Sequence, residues 1–167
     1  MPHADDFDLA DFLPYLLAMA ADATSARFQP LYRERYGMLR TEWRVLFHLG
    51  RYGEMTARDV CDRAHLHKTK VSRAVAALTA KRLLTRTELA ADRRREVLSL
   101  TRSGRAAFED LYSTARRFDE DLTGDIGEED AATLRKILRH LAGIESGAAC
   151  KTLRPSASPS RRRTSPD

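Results

Sequence analysis

Residues 67–84 read HKTKVSRAVAALTAKRLL, and this stretch limits the folds open to the chain more than any other. Val71, Ala74, Val75 and Leu78 recur at i, i+3, i+4 and i+7, so they form one apolar stripe on a helix. An advance of ~100° per residue turns Thr69, Lys70, Arg73, Ala76 and Ala77 to the opposite side. That side is short and basic, and no Asp or Glu occurs from His67 to Arg86. A solvated helix face normally interleaves acids with its bases. Thr69, Lys70 and Arg73 are residue types that reach base edges or phosphates, and Ala76 and Ala77 let a backbone come close to a groove. An ordinary amphipathic surface helix satisfies the same stripe, so the flanks decide between the two.

Upstream, residues 56–66 (TARDVCDRAHL) read as a short helix with Thr56 as N-cap and Val60 and Ala64 on its inner face. The turn His65-Leu66-His67 then leads into the basic helix, which makes a helix-turn-helix. Downstream, residues 84–89 and 96–100 are β-compatible, and the polar tip Ala90-Ala91-Asp92-Arg93-Arg94-Arg95 between them suits a hairpin. Helix, turn, helix and basic hairpin together make a winged helix-turn-helix.

At this point the chain resembles the MarR family, the multiple-antibiotic-resistance regulators. The match is carried by Thr41-Glu42-Trp43-Arg44-Val45-Leu46, Lys70-Val71-Ser72-Arg73, Asp92-Arg93-Arg94 and Leu100-Thr101-Arg102-Ser103-Gly104, in that order, from about residue 9 to residue 144. The resemblance implies a homodimer that binds pseudo-palindromic double-stranded DNA, most often as a repressor released by a small aromatic or phenolic effector. It implies that Thr69, Lys70 and Arg73 read the major groove, with Lys68 and Ser72 at its edge or on phosphate. Arg93 or Arg94 would enter the flanking minor groove from the wing. Asp92 would hold the wing arginine in position, because a free carboxylate near phosphate would repel it.

Charge distribution agrees with a DNA-facing centre. Residues 63–105 hold twelve Lys/Arg against three Asp/Glu, a net of +9. Residues 1–62 come to −3, residues 106–150 to −5 and residues 151–167 to +4. Basicity unrelated to a binding face would be spread along the chain. The length of 167 residues suits one domain, and no apolar run approaches the ~20 residues of a membrane span. The acidic start MPHADDFDLADF is unlike a signal peptide, and two cysteines make no disulfide framework. A cytoplasmic protein without membrane association is expected.

The rest of the chain reads as helices. Residues 12–36 form a long apolar helix, with Pro14 tolerated near its start and Pro30 expected to kink or divide it. Gly37 ends it, and Thr41 is the expected N-cap of a helix over residues 42–52. There Val45, Leu46 and Leu49 form one apolar group, and Trp43 and Phe47 a second. The second group could line a pocket for a flat apolar ligand, although core packing explains the same pair more simply. Thr101 caps a helix over residues 102–124. After the break at 124–127, Glu128, Glu129 and Asp130 open a last helix whose stripe is Leu134, Ile137, Leu138, Leu141 and Ile144.

The expected architecture is mainly α with a small β-hairpin wing. Residues 9–145 form the regulator domain, in which 9–36 and 102–145 are dimerisation helices and 37–101 the winged helix-turn-helix. Residues 146–167 form a basic tail, expected to be disordered and solvated, with Arg161-Arg162-Arg163 available for phosphate.

Catalysis has no constellation: there is no Gly-rich phosphate loop, no HExxH and no nucleophile elbow. No cofactor is implied. Cys61, His65 and His67 lie within seven residues, but the two histidines straddle the turn and a fourth ligand is lacking, so no metal site is expected. The alternative to an effector-released regulator is a thiol-based redox or small-ligand sensor using Cys61, disfavoured because that cysteine sits on an apolar helix as a small core residue. A dimerisation module of an enzyme would need a catalytic segment that these motifs do not supply.

Overall fold

The structure, a computed structural model, describes residues 8–89 and 92–144, with the side chains of 89 and 92–95 left out. After a single 3-10 turn at Leu9–Asp11 the elements run α1 (Leu13–Tyr36), α2 (Arg40–Tyr52), β1 (Met55–Thr56), α3 (Ala57–Ala64), α4 (Lys68–Ala80), β2 (Leu84–Leu89), β3 (Asp92–Leu100), α5 (Arg102–Ile126) and α6 (Glu128–Leu141). The expected class, mainly helical with a small hairpin wing, is what is seen. Residues up to Leu122 make one compact unit and residues from Thr123 a second.

In the first unit, α2, α3 and α4 close around one core. Val45, Leu46 and Leu49 of α2 meet Val60 of α3 and the α4 stripe Val71, Ala74, Val75 and Leu78, all buried. Local chemistry sets the helix starts. Thr56 accepts from the Asp59 N–H while the Asp59 carboxylate accepts from the Thr56 N–H, a reciprocal capping box. His67 caps α4, its Nδ1 accepting from the Thr69 N–H at 3.3 Å. Thr101 Oγ1 accepts from the Gly104 N–H at 2.9 Å and starts α5.

The three strands are antiparallel in the order β1-β3-β2, with Leu84 opposite Leu100, Glu88 opposite Glu96 and one register shift between Glu88 and Leu89. Strand β1 pairs Met55 with Leu98 and adds a third strand to the expected hairpin. Strand β3 begins at Asp92 and not at Glu96, so the backbone of 92–95 belongs to the strand and not to the tip. Asp92 pairs with Leu89, and residues 93–95 fall at the register shift between that pair and Glu88–Glu96, an irregularity a polar sequence does not reveal.

Three further expectations are corrected. Pro30 does not divide α1, which is continuous through it. The carbonyl that loses its partner belongs to Ala26, and both residues are exposed, so water can take the bond. Thr41 is not the N-cap of α2: Leu39 is, and it offers no side-chain cap. The first turn instead carries Glu42, whose negative charge suits the helix N-terminus. Helix α5 also passes through Gly124 to Ile126, and Gly127 (φ 97°) makes the break.

The start of α5 is fitted tightly to the junction after α4. Thr101 Oγ1 donates to the Arg82 carbonyl at 2.8 Å, and a Cβ on Gly104 would lie 1.9 Å from the Leu83 carbonyl oxygen. Backbone on both sides leaves nothing flexible to give way. Gly104→Ala is therefore expected to cost about 2 kcal/mol through overpacking and to lower the melting temperature by roughly 4–8 °C. A thermal melt matching wild type would show that the junction is looser than this packing implies.

The second unit consists of the last turn of α5 and α6. Arg135 of α6 donates to Thr123 Oγ1 at 2.7 Å. Leu134, Ile137, Leu138 and Leu141 are exposed on α6.

Candidate nucleic-acid interface

Burial of the α4 stripe fixes the rotation of that helix and turns most of its other residues outward, with Ala77 half-buried. Lys68, Thr69, Lys70, Ser72, Arg73 and Ala76 are all exposed. Among the described residues Lys68, Lys70 and Arg73 form no ion pair, so their charge is available to an external anion. Two other cations of the basic centre are engaged within the chain. Arg86 on β2 pairs with Glu96 across the wing at 3.5 Å, and Lys81 Nζ is held by the Glu42 carboxylate and by the Gly37 carbonyl at 2.8 Å. Asp92, Arg93 and Arg94 lie in β3, and their side chains fall outside the described residues, as does the tail at 146–167.

Cys61 is free and half-buried on α3 against the core. Among the described residues no three His, Cys, Asp or Glu side chains gather in a metal-binding group, and no helix is long and apolar enough to cross a membrane.

Beside this module, α1, α2 and α5 line an open cavity of about 370 Å³. Its walls include Phe28 and Tyr32 of α1, Trp43 of α2 and Phe118 of α5, and its polar groups include Thr24, Ser25, Arg40, Arg44 and Asp119. The rings pack on one another: Phe28 lies 5.4 Å from Trp43 and 5.1 Å from Phe118. Phe47, paired with Trp43 in the sequence reading, does not line it. It packs edge-on to Trp43 at 4.6 Å and faces Phe108 and Tyr112. Arg40 and Arg44 were missed as cavity residues. Their signal was present, two arginines i, i+4 beside the single tryptophan, but it does not say which face is hollow.

Burial, then the nearby Arg40, lowers the pKa of Arg44, whose Nη2 donates to the Ala64 carbonyl at 2.5 Å. Asp110 is held below the usual carboxylate range by the Tyr36 hydroxyl at 2.9 Å and then by Arg35, which ties α1 to α5 beside the cavity.

A buried three-helix core, an outward basic helix with no acids and a three-stranded wing define a winged helix-turn-helix. Comparison with known proteins shows what the chain is similar to. The MarR family model matches residues 36–95, the span that holds these elements. An uncharacterised HTH-type transcriptional regulator of Bacillus subtilis (strain 168), YwoH, is 24% identical over 106 residues, 64% of this chain and 77% of the relative. The structure of the MarR family transcriptional regulator SPO1453 from Silicibacter pomeroyi DSS-3 is 29% identical with a TM-score of 0.72, covering 83% of this chain and 98% of that one. That of Bordetella bronchiseptica BpsR, whose DNA binding is regulated by 6-hydroxynicotinic acid, has a TM-score of 0.74 at 23% identity, covering 81% and 96%. Residues 36–95 thus match the MarR family model, and in sequence and fold the chain is similar to transcription regulators of that family.

Proposed function

We propose that the chain acts as a homodimer that reads a pseudo-palindromic DNA site through α4 and represses transcription until a small aromatic carboxylate releases it. The observation that carries this reading is the exposed face of α4, whose cations meet no carboxylate in the described residues. Arg73, Lys70 and Thr69 are the base-directed residues, since Arg and Lys engage guanine in the major groove. Lys68 and Ser72 sit at the groove edge or on phosphate. On the wing, Arg93 or Arg94 is assigned to the minor groove, and Asp92 to holding that arginine.

Dimerisation is supported by apolar surface that each unit leaves in water. Leu13, Tyr15, Leu16 and Met19 of α1 are 40–54% exposed, and on α6 Leu134, Ile137, Leu138 and Leu141 are 40–51% exposed. Apolar groups this closely spaced mark association surfaces. A two-fold dimer also presents two copies of α4, as two half-sites require.

The cavity supports the effector reading. Its size falls within the range of small-molecule sites, its walls are aromatic, and Arg40 and Arg44 offer positive charge. A flat ring bearing a carboxylate fits that chemistry, as does 6-hydroxynicotinic acid, which regulates BpsR. Selection from random duplex DNA by the purified protein tests the reading. It should return an inverted repeat with half-sites about one helical turn (~10 bp) or a multiple apart. Recovery of no shared sequence would refute specific DNA reading.

A further inference from the structure

Arg44 belongs to two places at once. It lines the cavity, and its guanidinium donates to the carbonyl of Ala64, the last residue of α3. The final carbonyls of a helix have no partner within it, and a cation at that end also complements the helix dipole. Just beyond, His65 turns through the left-handed region (φ 48°), and Leu66 donates back to the Cys61 carbonyl at 3.1 Å. These residues form the turn that sets α4 against α3. One side chain of α2 therefore connects the cavity wall to the turn that positions the recognition helix.

The chemistry of that connection is unbalanced. Arg44 is partly desolvated, has Arg40 nearby, and among the described residues is paired with no carboxylate. A neutral carbonyl is a weaker partner for a guanidinium than a carboxylate, which can accept two parallel N–H donors from its planar fork. An anion entering the cavity offers Arg44 that better partner.

We propose that Arg44 is the positioning residue that couples the cavity to DNA binding. With the cavity empty it anchors the Ala64 carbonyl and holds the α3–α4 turn in its DNA-reading arrangement. A bound aromatic carboxylate draws the guanidinium toward itself, frees the Ala64 carbonyl and loosens the turn. The ligand thus spends part of its binding free energy on displacing a contact the DNA-binding arrangement needs, which is what coupling between two sites requires. This inference rests on the effector reading of the cavity.

The test uses the full chain, the DNA fragment returned by selection, and 6-hydroxynicotinate as probe. Trp43 is the only tryptophan and lines the cavity, so its emission reports occupancy independently of DNA. In wild type the probe should change Trp43 emission and weaken DNA binding roughly tenfold, within the usual range of coupling between sites. Arg44→Ala should bind DNA without probe about as weakly as probe-saturated wild type, and adding probe should weaken it no further. Arg44→Lys keeps a charged donor for Ala64 but cannot grip a carboxylate with two parallel bonds. It should recover DNA binding while responding less to the probe. A purely structural role for Arg44 would change DNA affinity but leave the ratio of affinities with and without probe intact.

Two results would count against the account, in different places. If Trp43 of an Arg44 variant still responds and the probe still releases DNA as fully as in wild type, the coupling role is wrong and the cavity reading stands. Should Arg44→Ala fail to fold, full release of the Arg44→Lys protein decides in the same way. If wild-type Trp43 does not respond to the probe at millimolar concentration, the aromatic-carboxylate reading itself fails, and this inference with it.

Discussion

Raising the salt concentration from roughly 50 to 200 mM is expected to weaken binding of the proposed dimer to DNA by about 10³-fold or more. Lys68, Lys70 and Arg73 are exposed and unpaired among the described residues, and a dimer presents each of them twice. Together with the wing arginines, both copies would neutralise roughly six to ten phosphates, each releasing condensed counterions. Lys81 and Arg86 contribute less than their sequence positions suggest, because Glu42 and Glu96 already engage them. The check is a series of binding titrations on one fragment. A nearly flat plot of log affinity against log salt would contradict direct phosphate engagement by α4.

The largest effect on stability is expected from Lys81→Met. Glu42 is buried, its side chain 6% exposed, and Lys81 is the partner that neutralises it. Removing the lysine strands a carboxylate in the core, at a cost of about 3 kcal/mol, the lower end of the range because Lys81 is itself about a third exposed. The same change removes the bond to the Gly37 carbonyl at the end of α1. Thermal melts should fall by on the order of 10 °C. The double change Glu42→Leu with Lys81→Met should recover most of that loss, since apolar pairs of similar volume often replace buried ion pairs without penalty. A Lys81→Met protein melting within about 2 °C of wild type would show that Glu42 finds another partner or solvent.

What could be read in the sequence was local. The α4 stripe, the Thr56 and Thr101 caps and the Gly37 stop depend on residues within one or two turns of one another, and each is found as expected. Interactions between distant residues were hidden. Glu42 and Lys81 are 39 apart, and nothing in either neighbourhood shows that they meet. Strand β1 is two residues long and exists because β3 offers it an edge. Whether Pro30 divides its helix depends on whether the orphaned carbonyl can reach water, and a sequence does not show that. The cavity was half legible. Trp43 and Phe47 share a helix face by spacing, yet Phe47 packs toward α5 while Arg40 and Arg44 reach the hollow on the other flank.

The central claim is that α4 reads bases and does not merely supply charge. Fragment selection run in parallel with wild type and Arg73→Ala, at one fixed salt concentration, tests it most directly. Loss of one base-directed contact should cost about 1–3 kcal/mol and relax the preference at one position in each half-site, with the other positions kept. Weaker binding with an unchanged preference at every position would mean that Arg73 touches only phosphate, and that α4 does not read the sequence as claimed.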